Sequence, residues 1–76
     1  MSLEAWHIWH DAVGRHRVRV RVETPQEART WLDRRVMEQR DDAAVHWNAF
    51  GLETDENGEW EEWYDAEGRD VFGEEA

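Results

Sequence analysis

Arg17-Val18-Arg19-Val20-Arg21-Val22-Glu23-Thr24-Pro25-Gln26-Glu27 is the stretch that decides the fold. Up to residue 22, arginine and valine alternate strictly. In an extended chain this puts Val18, Val20 and Val22 on one face and Arg17, Arg19 and Arg21 on the other, the pattern of a half-buried strand. A helix start follows at once. Thr24 can cap, Pro25 takes the first helical position, where its missing N–H costs nothing, and Glu27 completes a capping box. Ala28, Trp31, Leu32 and Val36 then recur at helical spacing as a buried stripe, with Arg29, Asp33, Arg34 and Glu38 on the wetter side. The helix is predicted to end near Arg40. Asp41-Asp42 are expected to open the loop, because carboxylates at a helix C-terminus oppose its dipole.

Upstream, residues 5–10 (Ala-Trp-His-Ile-Trp-His) are aromatic and β-branched enough for a strand. A helix opening at Ser2 is the competing reading. The strand is preferred because residues 17–22 look like its hairpin partner across Gly14. Downstream, residues 45–53 read as a strand with Gly51 as a candidate bulge. Asn57-Gly58 is a strong signal for a type I′ hairpin turn. Residues 59–65 form the return strand, and Asp65-Ala66-Glu67-Gly68 a second turn, with Gly68 at positive φ. Residues 69–72 are long enough for a short fifth strand, and Glu74-Glu75-Ala76 reads as a frayed tail. The expected order is β-β-α-β-β: an α+β single domain over residues 1–76, an antiparallel four-stranded sheet with one helix on one face.

One helix covers one face of such a sheet, so the other face is solvated or meets a partner. Arg17, Arg19 and Arg21 are expected there. In the return strand Trp60, Glu62 and Tyr64 share one side, and Glu61, Trp63 and Asp65 the other. Either side offers carboxylates and a tryptophan to a neighbouring arginine, so an arginine–carboxylate ladder is the simplest expectation for the open face. Three or four of the six tryptophans (Trp6, Trp9, Trp31, Trp47, Trp60, Trp63) are expected in the core, and about two at the surface.

Composition narrows the function. A chain of 76 residues builds one modest core. There is no cysteine, which removes disulfides and thiolate chemistry and fits a reducing compartment. No apolar run approaches the roughly 20 residues needed to cross a bilayer, and the first residues lack a basic segment leading into an apolar one, so a cytoplasmic protein is expected. All nine basic residues are arginine. Residues 1–40 carry +2, with eight arginines against six acids, and residues 41–76 carry −12, with Arg69 against thirteen. The overall charge of −10 disfavours binding to free nucleic acid or an anionic membrane and favours a basic partner.

No enzyme signature is present: no phosphate-cradling glycine loop, no nucleophile elbow, no His-Glu-x-x-His. The one serine is Ser2. No catalytic residue, cofactor or metal is assigned. His7 and His10 oppose each other on a strand, so even with His46 they make a weak metal set. Glu61 and Glu62 point to opposite faces and are no general acid/base pair. The acids around the Asn57-Gly58 turn lack the spacing of a calcium loop.

Tyr64-Asp65-Ala66-Glu67-Gly68-Arg69 resembles the Tyr-Asp-x-x-Gly-Arg core of YD-repeat proteins. It occurs once and supports only the hairpin at 65–68. In size, acidity and simple α+β build the chain resembles small acidic anti-defence proteins of phages, of the anti-CRISPR and anti-restriction type. That resemblance rests on no motif and carries over no residue. It implies a non-enzymatic inhibitor that blocks a basic nucleic-acid-handling protein or nucleoprotein complex, its carboxylates standing in for phosphates as a DNA mimic. The residues expected to bind the partner are Glu53, Asp55, Glu56, Glu59, Trp60, Glu61, Glu62, Trp63 and Asp65. The alternative is a small structural or regulatory module that homodimerises through the open sheet face.

Overall fold

A computed structural model describes residues 2–40 and 42–75. Its elements follow the expected order: β1 (Ser2–His10), β2 (Arg15–Val22), α1 (Pro25–Arg40), β3 (Trp47–Glu56) and β4 (Glu59–Glu62). The antiparallel sheet runs β2-β1-β3-β4, so β1 is central and α1 carries the chain across it from β2 to β3.

Local chemistry accounts for the joints. The Thr24 hydroxyl accepts the Glu27 N–H at 3.1 Å, and the Glu27 carboxylate reaches back to the Glu23 N–H at 3.2 Å. Asn57 and Gly58 both take positive φ, 56° and 82°, as a type I′ turn requires. The β1–β2 connection is tied by Asp11, whose carboxylate accepts the N–H groups of Val13 and Gly14.

β1 begins at Ser2, three residues earlier than expected, because its outer pairings, Leu3 with Val22 and Ser2 with Asp55, continue on both sides. Gly51 is no bulge: pairing of β3 with β1 runs unbroken from Trp47 to Asp55. β4 stops at Glu62 rather than at residue 65. Trp63 still donates its N–H to Leu52 at 2.9 Å, but the Asp65 carboxylate then takes the N–H groups of Glu67 and Arg69 and turns the chain away. A fifth strand over 69–72 is not formed. Asp70 accepts the N–H groups of Phe72 and Glu74 and makes a tight turn there, leaving one isolated bridge between Arg69 and Glu75. Glu74 and Glu75 are therefore held. Ala76 of the expected tail and Asp41 of the expected loop opening lie outside the described residues.

Side-chain parity divides the sheet. Leu3, Ala5 and His7 on β1, Val20 and Val22 on β2, and Phe50 and Leu52 on β3 face α1. With Ala28 and Leu32 of α1, and Val71 from the C-terminal turn, they make the core. Arg29 holds that turn down, donating to the Val71 carbonyl at 3.2 Å and lying over the Phe72 ring. The tryptophans are placed differently from expectation. None belongs to the fully buried set; Trp31 and Trp63 pack against it, and Trp47 and Trp60 are exposed. The layer between one helix and the sheet is filled mainly by aliphatic side chains of modest size, with Trp31 and Trp63 at its margin and Trp6, Trp47 and Trp60 on the opposite face of the sheet.

Candidate protein-binding surface

The face away from α1 is read off the same register. It carries Arg15, Arg17, Arg19 and Arg21 from β2, Glu4, Trp6 and Ile8 from β1, Gly51, Glu53 and Asp55 from β3, and Trp60 and Glu62 from β4. Arg19 crosses it. Its guanidinium lies 2.8 Å from Glu4, 2.8 Å from Glu53 and 5.5 Å from the centre of the Trp60 ring. Arg21 approaches Glu4 at 3.5 Å. The hydrogen bond from Arg19 holds the Glu4 carboxyl below its ordinary value, and Glu4 in turn raises Arg19. This is the expected arginine–carboxylate ladder, with Trp60 stacked on it.

Gly51 has a specific use here. A Cβ at residue 51 would stand 2.6–2.8 Å from the Trp6 ring, so the indole rests directly on the bare backbone of β3. Trp6 and Gly51 thus belong to an apolar strip between β1 and β3, with Ile8 and Ala49 in the row on one side and the Glu4–Arg19–Glu53 ion pairs in the row on the other. The face holds four arginines and four carboxylates, so it is neutral within a chain of net charge −10.

Unpaired acid gathers at the β4 edge of the sheet. All four residues of β4 are exposed, and β4 is an edge strand. Among the described residues no cation lies within 4.0 Å of Glu56, Glu59, Glu61 or Glu62. The nine residues expected to bind a partner are thus split. Glu53, Asp55, Trp60 and Glu62 sit on the open face, with Glu53 already paired to Arg19. Glu56, Glu59 and Glu61 project to the α1 side at the rim. Trp63 packs on the core. The Asp65 carboxyl is lowered first by its bond from the Arg69 N–H and serves its own turn.

A third constellation lies beneath the sheet and was not anticipated. His7 has no accessible surface. Its ring is stacked between Phe50 at 4.2 Å and Trp9 at 4.6 Å. Arg35 donates Nε–H to Nδ1 at 3.0 Å, and Nε2 meets Asn48 Oδ1 at 2.8 Å. Arg35 also lies over the Trp9 and Trp31 rings, at 5.6 Å and 5.2 Å from their centres. Burial pushes the imidazole below its ordinary value, and the nearby Arg35 charge acts the same way against the Asn48 bond. His10 lies on the opposite face, as the strand reading requires. Among the described residues no group of three His, Asp or Glu side chains is placed to hold a metal ion. Among the described residues no helix is long and apolar enough to cross a membrane.

No protein-family model, curated protein or solved structure matches this chain.

Proposed function

We propose that this is a non-enzymatic binding protein that blocks a basic nucleic-acid-handling protein, with the β3–β4 hairpin as its contact. The supporting observation is the exposed edge strand Glu59–Glu62, whose carboxylates have no cation within ion-pair distance among the described residues. Carboxylates at Glu56, Glu59 and Glu61 form a rim of charge at strand spacing, suited to arginines and lysines that otherwise grip phosphates. Trp60, 37% exposed on the opposite face of the same edge strand, supplies an aromatic anchor to a partner that wraps the β4 edge.

The test is capture of a partner from nucleic-acid-free lysate, followed by competition with duplex DNA. The expected result is a DNA- or RNA-handling protein that duplex DNA displaces. Glu59→Gln with Glu61→Gln should weaken capture and flatten its salt dependence. Undiminished capture by that double variant would remove the rim from the mechanism.

A further inference from the structure

We infer that the open sheet face is the seat of a second copy of this chain, the two related by a two-fold axis along the strands, between β1 and β3. This goes beyond the blocking function and does not rest on it.

Charge decides the occupant. Two chains of net charge −10 repel, and only a surface free of excess acid lets them approach closely. The open face is such a surface, with four arginines balanced by four carboxylates. Its charges are also sorted by position. The basic strand β2 lies at one edge and the acidic strand β4 at the other.

Two ways of stacking the face on itself have opposite consequences. A two-fold axis across the strands would lay β2 over β2, arginine upon arginine. An axis along the strands lays β2 of each copy over β4 of the other. Arg21, Glu4, Glu53 and Glu62 share one row across the sheet. At equal height, Arg21 of each copy then faces Glu62 of its mate, twice in the pair, while Glu4 falls opposite Glu53, each already paired within its own chain to Arg19 at 2.8 Å. Such an assembly is closed, so it stops at two chains.

Shape agrees with charge. The Trp6 ring lies down on Gly51 rather than standing off the sheet, and in the next row Ile8 of one copy falls opposite Ala49 of the other. Stacked sheets pack about 10 Å apart with their side chains interdigitated. Strands of nine, eight, ten and four residues present roughly 500 Å² per copy, so a pair covers about 1,000 Å² in all, the lower bound for a specific interface.

Sedimentation equilibrium on the full chain, from micromolar to sub-millimolar concentration, tests this. The wild type should pass from the mass of one chain to that of two. Arg21→Glu and Glu62→Arg should each weaken association about tenfold or more, since each places like charges together twice. Both side chains are exposed, so both variants should keep the wild-type circular dichroism spectrum. An equimolar mixture of the two variants should then recover association, because one contact is reversed in sign and the other is native. Met37→Glu, on the exposed side of α1, should change nothing. A wild type that stays a single chain throughout, or a mixture that fails to recover, overturns the proposal. Arg21→Glu leaves every carboxylate of the β4 rim in place, so failure here is distinct from failure of the blocking function.

Discussion

Arg35 donates its Nε–H to Nδ1 of His7 over 3.0 Å. A guanidinium has donors and no acceptor, so Nδ1 must be bare and the proton must sit on Nε2, facing Asn48 Oδ1. The bond therefore exists only while His7 is neutral. Protonation would set two cations against each other in a site walled by Trp9, Phe50 and Trp31, with His16 the next titratable ring, stacked beyond Trp9.

Stability should fall on mild acidification for this reason. The folded His7 has a lowered value, while the unfolded chain titrates near its ordinary value of about 6.5. Between those two values the unfolded state holds more protons, so the contribution is complete above the unfolded value and is lost as pH falls below it. Urea unfolding between neutral pH and about pH 5 should show this loss, and His7→Gln should flatten the slope. An equal slope in the variant would assign the acid sensitivity elsewhere.

Removing the donor should be costly at any pH. Arg35→Met keeps much of the stem that packs over Trp9 and Trp31 but leaves Nδ1 of a wholly buried ring without its partner. A stability loss of about 1–3 kcal/mol is expected by urea denaturation. Arg34→Met, one residue away on the exposed side of α1, should cost little.

Gly51→Ala should disturb Trp6 rather than the strand. The added methyl would meet the indole at 2.6–2.8 Å, closer than carbon atoms pack, so the ring must lift. The expected cost is about 1–2 kcal/mol, with a red-shifted fluorescence component as the indole meets water. Trp6→Ala should absorb most of that cost in a double-mutant cycle, because the clash then has no second party.

What could be read from the chain was local. The Arg-Val alternation, the Thr24-Pro25-Gln26-Glu27 start and Asn57-Gly58 each act within a few residues, and β2, α1 and the hairpin follow them. The misreadings at β4 and at residues 69–72 come from two aspartates. Asp65 and Asp70 take backbone N–H groups that a strand would have used, and β-propensity does not register that competition. The His7 site is assembled from positions 28 and 41 residues apart, so no spacing rule reports it. One trace was available: the parity of β1 groups His7 with Leu3 and Ala5 on the core side. The tryptophans misled by size, since a small helix–sheet layer closes better on alanine, valine and leucine.

Trp63 and Trp60, three residues apart, should separate folding from binding. Trp63 lies against the Leu52 side of the core, just past the end of β4, and its N–H is the last bond that holds the chain to β3. Trp63→Ala opens a cavity at the edge of a core that has seven buried hydrophobic residues among the described residues. A loss of about 2–4 kcal/mol is expected, a large share of what so small a domain possesses. Trp60 is stacked with Arg19 and is one of the exposed large hydrophobic side chains. Trp60→Ala should cost under about 1 kcal/mol in urea denaturation, the scale of an exposed cation–π contact. Its partner affinity should fall much further if Trp60, across the strand from the acidic rim, is the anchor, by about 2 kcal/mol or more. Unchanged affinity in a folded Trp60→Ala protein would leave the rim carboxylates acting alone.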